Sequence, residues 1–104
     1  MKVENMRSSR GNKIANQFIL SGVTQTYKSR TGETIRPPTG ELFQSYDSII
    51  CFKSYCGQCV ILDRDKWDYS TTTSKYRNQF LNETKKETQK KIDAGVYILA
   101  DLNK

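Results

Sequence analysis

Two short apolar runs on either side of a glycine set the tightest limit on how this chain can fold. The run "SIICF" ends near residue 53 in a β-prone stretch at residues 41–53, and "QCVILD" covers residues 58–63. Both runs are rich in the β-branched and aromatic residues that pack well in sheets. Gly57 lies between them and permits a sharp turn. We therefore predict that the two runs pair as a hairpin at the centre of a β-sheet.

Four other segments also have the pattern of strands. Residues 13–20 mix apolar and polar side chains and end at a serine-glycine turn signal. The run "VTQTYKS" alternates with period two, and Thr31-Gly32 would turn it into "ETIR" as a second hairpin. Towards the end of the chain, the apolar residues 96–102 predict a last strand.

Between the central hairpin and the last strand, the hydrophobic period changes to that of a helix. Hydroxyl side chains at residues 70–73 offer N-cap oxygens, and Thr84 and Glu87 have the spacing of a capping box. Strands, then helices, then a strand is the order of an α+β fold. We predict one domain over all 104 residues, with an antiparallel sheet of about five strands and one or two helices, at residues 71–94, packed on one face.

The size and composition of the chain exclude several classes of protein. No apolar run approaches the roughly 18 residues that a membrane span needs, and the first residues lack the apolar stretch of a signal peptide. The three cysteines are an odd number, which fits a reducing compartment better than a disulfide scaffold. We therefore expect a cytoplasmic protein.

The net charge of +6 is unevenly distributed along the chain. Residues 1–40 carry seven Lys/Arg and two acids, residues 41–69 carry three and five, and residues 70–95 carry six and three. Such a basic excess indicates an acidic partner, either nucleic acid or an acidic protein surface, although it also serves solubility. Residues 1–12 are polar and basic, and we expect them to form a mobile arm or an irregular lead-in.

Basic and aromatic side chains that suit an acidic partner fall into three groups. They are Arg7, Arg10 and Lys13 in the arm; Tyr69, Lys75 and Arg77 in "WDYSTTTSKYRNQFL"; and Lys85, Lys86, Lys90 and Lys91 as a stripe on the second helix. Aromatic residues among basic ones can stack bases and hold phosphates. Large aromatics also dominate small cores, so we expect Trp67, Tyr76 and Phe80 to anchor the helix to the sheet. The lysine stripe equally fits a solvated helix face.

All three cysteines lie within "CFKSYCGQC", and the chain has no histidine. Cys56 and Cys59 have the Cys-x2-Cys spacing of half a zinc site, and Cys51 is the candidate third ligand. A fourth ligand would have to be an aspartate or come from a second chain. The alternatives are a redox pair, although such a pair normally opens a helix, and a core residue at Cys51 followed by two thiols at a hairpin tip. Zinc is thus the one cofactor that the sequence suggests.

Signals for catalysis are missing from the sequence. Histidine, the commonest general base, is absent, and no glycine-rich phosphate loop appears. The acidic run "DRDKWD" lacks the glycine and the distal glutamate of a calcium loop. We therefore expect a binding protein and not an enzyme.

Four stretches of the chain resemble a family of small proteins from phages, prophages and other mobile elements. They are "MRSSRGNKIANQF", "FQSYDSII", "LDRDKWDYSTTTSKYRNQFL" and "KKETQKKIDAGVY" with "ADLN", whereas residues 20–40 and the cysteines look like additions. The resemblance implies a non-enzymatic inhibitor of host defence, of the anti-CRISPR type, in the cytoplasm of a bacterial host. Its partner would be a CRISPR effector or a similar nucleoprotein, bound stoichiometrically. The alternative is a small accessory protein that binds DNA or RNA directly.

Overall fold

The structure, a computed structural model, describes residues 2–29 and 31–103. Its elements are β1 (Lys2–Arg7), β2 (Lys13–Val23), β3 (Tyr27–Ser29), β4 (Thr34–Ile35), β5 (Gly40–Ser45), β6 (Ser48–Ser54), β7 (Val60–Asp63), α1 (Thr71–Leu81), α2 (Lys85–Asp93) and β8 (Ile98–Asp101). The α+β class is confirmed, because two helices pack on a largely antiparallel sheet.

All eight strands belong to one sheet, in the order β1-β2-β5-β6-β7-β8-β3-β4. Among the strands of the described residues, only β7 and β8 pair in parallel, because the two helices carry the chain back across the sheet between them. The predicted hairpins β6–β7 and β3–β4 are both present. The expected number of about five strands is wrong, for two reasons that lie in β1 and in the turn between β5 and β6.

The strand β1 occupies residues that were expected to form an irregular arm over residues 1–12. It pairs antiparallel with β2, and the Asn5 side-chain amide donates to the Ile14 carbonyl oxygen at 3.1 Å. Met6 is the one buried side chain of β1. A strand at the sheet edge with a single core contact shows no alternation of apolar and polar residues, so the sequence pattern does not reveal it.

The stretch at residues 41–53, expected as one strand, contains β5 and β6. They join at Tyr46, whose φ of 56° is left-handed and whose backbone N–H donates to the Asn16 carbonyl oxygen at 2.7 Å. The Gln44 side-chain amide also donates to the Tyr46 carbonyl oxygen, at 2.7 Å. Since neither glycine nor proline marks this turn, the contacts that stabilise it come from the tertiary structure.

The sheet is strongly curled. Four strands separate β2 from β3 in the sheet, which would place them about 24 Å apart if the sheet were flat. Only three residues lie between Val23 and Tyr27, and four peptide links span at most about 14 Å. The sheet therefore bends until the end of β2 approaches β3. Gly40 allows this bend, because a Cβ at that position would lie 2.3 Å from the Lys53 carbonyl oxygen.

The curl gives the sheet a buried core on each face. The concave core contains Val23, Tyr27, Leu42, Phe52, Ile61, Ala100 and Leu102. The core under the helices contains Met6, Phe43, Ile50, Cys51, Val60, Leu62, Phe80 and Leu81. Neighbouring residues such as Ile61 and Leu62 point to opposite faces and are both fully buried. This explains why β6 and β7 are continuous apolar runs.

Both helices begin at the N-caps that the sequence predicts. The Ser70 side chain accepts a hydrogen bond from the Thr73 backbone N–H at 3.1 Å, and α1 ends at Asn82 with a left-handed φ of 56°. A complete capping box joins Thr84 and Glu87 at the start of α2. Among the described residues, no helix is long and apolar enough to cross a membrane.

The aromatic residues predicted to anchor the helices do so. Phe80 is buried, and Trp67 and Tyr76 are partly buried against the same core. The Phe80 ring stacks on that of Phe43 with a centroid distance of 5.9 Å, and the Lys53 ammonium lies 4.8 Å from the Phe80 ring centroid. Phe80 is thus the main contact through which α1 is attached to the sheet.

Replacing this anchor should destabilise the whole domain. We expect Phe80→Ala to lower the free energy of unfolding by about 3–5 kcal/mol, because it leaves a cavity between α1 and β5. Tyr69→Ala, at an exposed aromatic residue, is the control and should change it by less than about 0.5 kcal/mol. Urea unfolding followed by circular dichroism measures both. A cost below about 1 kcal/mol for Phe80→Ala would contradict the role of the anchor.

Candidate functional site

An open groove of about 460 Å³ lies between the β1–β2 hairpin and α1. Its lining residues are Arg7, Ser8, Ser9, Ile14, Lys75, Tyr76 and Gln79. We call it the basic groove. It brings together Arg7 and Lys75, which the sequence placed in two separate groups of partner-binding candidates. Arg10 and Lys13 lie exposed on the same hairpin, one in its turn and one at the start of β2.

The hairpin side of the groove is held in place by its own hydrogen bonds. The Arg7 guanidinium donates to the Gly11 carbonyl oxygen at 2.8 Å, and the Ser8 backbone N–H donates to the Asn12 carbonyl oxygen at 2.8 Å. The Ser8 hydroxyl oxygen accepts from the backbone N–H groups of Arg10 and Asn12, both at 3.3 Å. The turn that carries these cations therefore has a defined shape.

The helix side of the groove is supplied by α1. The Gln79 side-chain amide donates to the Arg7 carbonyl oxygen at 2.8 Å and so links the helix to the hairpin. The Lys75 ammonium lies 5.3 Å from the ring centroid of Tyr76, which is itself partly buried against the core. The groove thus combines cations from two elements with one fixed aromatic ring.

The chemistry of these side chains favours the binding of anions. Guanidinium and ammonium groups form strong hydrogen bonds with phosphate and carboxylate oxygens, and the serine hydroxyls add neutral donors. An aromatic ring beside them can stack a base. The groove is lined by neither a carboxylate nor a thiol, and all of its lining residues are described. It can therefore hold an anion but supplies no acid-base pair.

The lysine stripe on α2 is only partly available to a partner. The Lys85 ammonium forms an ion pair with Asp68 at 2.7 Å, and the Lys91 ammonium forms one with Glu83 at 2.7 Å. Lys86 and Lys90 are exposed, and neither makes an ion pair with another described residue. Half of the predicted stripe is therefore already neutralised within the protein.

Arg77 must be removed from the set of partner-binding residues, because its side chain is 0% exposed. Its guanidinium donates to the Trp67 carbonyl oxygen and to the Asn78 side chain, and it pairs with Asp68 at 3.3 Å. The guanidinium also lies 5.1 Å from the Trp67 ring centroid. Arg77 thus holds the loop before α1 against that helix and cannot reach a partner.

Tyr69 is exposed, as a contact residue should be, but it lies away from the basic groove. The Lys66 ammonium lies 4.9 Å from its ring centroid. It lines a separate depression together with Asp68 and Lys85. Because the Asp68 carboxylate is part of that surface, it suits an anion less well than the basic groove does.

The three cysteines do not form the predicted zinc ligand set. In the β6–β7 hairpin Lys53 pairs with Val60. Because side chains alternate along a strand, Cys51 shares a face with Val60, whereas Cys59 precedes Val60 and lies on the other face. Cys51 accordingly lies in the core under the helices, Cys59 packs against the concave core, and Cys56 is exposed. Within residues 2–29 and 31–103, no three His, Cys, Asp or Glu side chains are grouped to hold a metal.

Comparison with known proteins identifies a family but no activity. Residues 1–95 match a family of unknown function (DUF8033). The chain belongs to this family. No match was found among curated proteins or among solved structures. The matched range includes the hairpin and both helices, and hence every residue of the basic groove.

Sequence reasoning missed four residues of the groove, namely Ser8, Ser9, Ile14 and Gln79. Gln79 follows Lys75 by four residues, so helical spacing places the two side chains on one face of α1 and could have identified it. The other three line the groove only because β1 pairs with β2. No local sequence pattern predicts the pairing of β1 with β2, since β1 lies in a polar segment without apolar alternation.

The carboxylate of Glu83 is buried and forms an ion pair with Lys91 of the lysine stripe. Its side chain is 4% exposed and accepts hydrogen bonds from the Lys91 ammonium and the Tyr97 hydroxyl, each at 2.7 Å, and from the Thr88 hydroxyl. Burial by itself raises the pKa of Glu83, but these donors outweigh burial and lower the pKa below its ordinary value. The ionised carboxylate therefore stabilises the fold, and this contribution is lost as the pH falls through the folded-state pKa.

A neutral side chain at this position should weaken the fold in a pH-dependent manner. We expect Glu83→Gln to lower the free energy of unfolding at pH 7 by about 1–3 kcal/mol, because it removes a charged acceptor from buried donors. The difference from the parent protein should shrink as the pH falls through the lowered folded-state pKa of Glu83, because the parent's carboxylate is then protonated as well. Thermal unfolding across pH measures this, with Glu33→Gln at an exposed residue as the control. A difference that does not vary with pH would contradict the role of the charge.

Proposed function

We propose that this protein acts by binding a polyanionic partner in the basic groove and that it does not catalyse a reaction. The observation that carries this proposal is the meeting of Arg7 and Lys75 across the groove, beside the Tyr76 ring. Two elements that are distant in the sequence supply cations to one surface. Cations that converge from two elements indicate a binding surface, because a face that is merely solvated does not require its cations to lie together.

The proposed partner is a nucleoprotein of host defence of the CRISPR-effector type, bound stoichiometrically in the cytoplasm of a bacterial host. This part of the proposal rests on the sequence resemblance to proteins of mobile elements. The groove is compatible with it, because such a complex presents guide RNA phosphates and acidic protein surface together. Inhibition would follow if the bound protein occupied the channel through which nucleic acid enters.

The basic groove is a better binding surface than the α2 stripe. A partner that approached Lys85 or Lys91 would compete with carboxylates already bound at 2.7 Å. Arg7 and Lys75, which line the groove, make no ion pair with any described residue, and neither do Arg10 and Lys13 on the β1–β2 hairpin. Binding of a partner at Lys85 or Lys91 therefore requires an internal ion pair to break, whereas binding at the groove does not.

Direct binding of single-stranded nucleic acid is the second candidate function. The contact of the Lys75 ammonium with the Tyr76 ring, 5.3 Å from its centroid, favours it. A ring of this kind can stack a base while the neighbouring cations hold phosphates, with little preference for sequence. In that case isolated RNA or DNA would bind as well as a nucleoprotein does.

Charge reversal on the two surfaces distinguishes these ideas. We expect Arg10→Glu with Lys75→Glu to weaken binding at low salt by at least about tenfold, because steering and phosphate contacts depend on summed local charge. Lys86→Glu with Lys90→Glu removes the same charge from α2 and serves as the matched control. Both variants should keep the parent's melting temperature within a few degrees, since surface substitutions change stability by less than about 0.5 kcal/mol.

The probes are a fluorescent single-stranded RNA and a guide-loaded RNA-guided nuclease, each titrated at low and high salt. Tight binding of the nuclease complex with weak binding of RNA alone supports the nucleoprotein inhibitor. Equal binding of both supports the nucleic-acid-binding alternative. Equal losses in the two double variants would show that only net charge matters, and the basic groove would then be rejected as the site.

A further inference from the structure

The turn between β6 and β7 carries two cysteines that the basic groove does not use. Cys56 and Cys59 lie on either side of Gly57, whose φ of 75° is left-handed. The Ser54 backbone N–H donates to the Cys59 carbonyl oxygen at 2.9 Å, and the Gly57 N–H donates to the Ser54 carbonyl oxygen at 2.9 Å. The chain reversal is therefore closed by hydrogen bonds at both its base and its tip.

The hydroxyl group of Ser54 contacts both cysteines. Its oxygen accepts from the Cys59 backbone N–H at 3.0 Å and lies 3.2 Å from the Cys56 sulfur. The hydroxyl keeps its own proton when its oxygen accepts from Cys59, and when Cys56 is a thiolate this proton is donated to the Cys56 sulfur. These two contacts share one atom, so the Cys56 sulfur lies within about 6 Å of the Cys59 nitrogen, and both cysteines belong to one hydrogen-bonded turn.

The two thiols have different environments. Cys56 is exposed, and hydrogen bonds from the Ser54 hydroxyl and from the Gln58 backbone lower the pKa of its thiol. Cys59 is partly buried, and burial raises the pKa of its thiol. An exposed thiol with a lowered pKa, beside a second and less exposed thiol with a raised pKa, is the arrangement of an attacking and a resolving cysteine. Cys51 is fully buried, which keeps it out of reach of a reagent.

We propose that Cys56 and Cys59 form a thiol–disulfide exchange site whose substrates are low-molecular-weight disulfides, with Cys56 as the attacking residue, Cys59 as the resolving residue and Ser54 as a positioning residue. The Cys56 thiolate attacks one sulfur of the disulfide, which forms a mixed disulfide and releases one thiolate. Cys59 then loses its proton, and its sulfur attacks the Cys56 sulfur and displaces the second thiolate. The two cysteines are thereby oxidised by two electrons, and the small disulfide is reduced to two thiols.

The hydroxyl contact makes this pair different from any two neighbouring cysteines. Ser54 is 1% exposed, so packing against the sheet fixes the direction of its side chain. The Tyr55 hydroxyl oxygen accepts from the Gly22 backbone N–H at 2.7 Å, and this bond attaches the turn to β2. The attacking sulfur therefore has a fixed hydrogen-bond donor on a turn that is tied to the sheet at two points.

Oxidised glutathione added to the reduced full-length chain provides the first test, with intact mass and peptide mapping as the readouts. The parent protein should lose the mass of two hydrogen atoms and show a Cys56–Cys59 disulfide. Cys59→Ser should instead accumulate glutathione on Cys56, because no thiol remains to displace it. Cys56→Ser should react at least about tenfold more slowly, since a half-buried thiol with a raised pKa holds little thiolate. A stable glutathione adduct on the parent protein, or equal rates for the two variants, would overturn the proposal.

Ser54→Ala tests the hydroxyl with a readout that a purely structural role would not change. The pH profile of the Cys56 reaction should shift to higher pH. At neutral pH the rate should fall by about threefold per unit of raised pKa, because lost thiolate is partly offset by higher nucleophilicity. Ser48→Ala, at the other end of β6, should leave the profile unchanged. Ser54→Thr keeps the hydroxyl and should restore the parent's profile, even if the alanine variant folds poorly. Coinciding profiles for Ser54→Ala and the parent would overturn the role of Ser54.

Discussion

Burial of the β6–β7 hairpin on both of its faces is the constraint on which the rest of the structure depends. Phe52 and Ile61 face the concave core, while Cys51 and Leu62 face the helices, and all four are 0% exposed. A sheet that is apolar on both sides must be covered on both sides. The helices cover one face, and the curl of the sheet itself covers the other. The close approach of strands at Gly40 is a direct consequence of this curl.

Charged residues are divided between holding the fold and facing solvent. The side chains of Arg77 and Glu83 are almost fully buried. Arg77 pairs with Asp68, which also pairs with Lys85, and Glu83 pairs with Lys91. These ion pairs stabilise the two helices and neutralise both lysines. Buried charges are tolerated only with such partners, because desolvation is costly. Four cations that make no ion pair with a described residue, Arg7, Arg10, Lys13 and Lys75, lie on the β1–β2 hairpin and on α1. Arg7 and Lys75 meet at the basic groove, whereas two of the four stripe lysines are already paired, and this difference favours the groove in the functional proposal.

The groove and the cysteine turn are positioned by different parts of the fold. The groove depends on the pairing of β1 with β2 and on the Gln79 link to α1. The turn depends on the β6–β7 register and on the bond from Gly22 to Tyr55. Neither set of contacts includes a residue of the other. The proposed anion binding and the proposed thiol exchange can therefore be tested separately by substitution, each in a protein whose other site is unchanged.

Local sequence determined the elements whose signals are local. The caps at Ser70 and Thr84, the hairpin around Gly57 and the aromatic anchor at Phe80 follow from side-chain hydrogen bonding, turn geometry and apolar spacing. Tertiary structure decided the features that depend on which segments meet. The register of β6–β7 pairing put Cys51 and Cys59 on opposite faces, burial excluded Arg77 from the candidate surface, and the pairing of the edge strand β1 with β2 created the groove. Register and burial are set by the sum of long-range contacts, and such contacts leave no mark in the residues next to them.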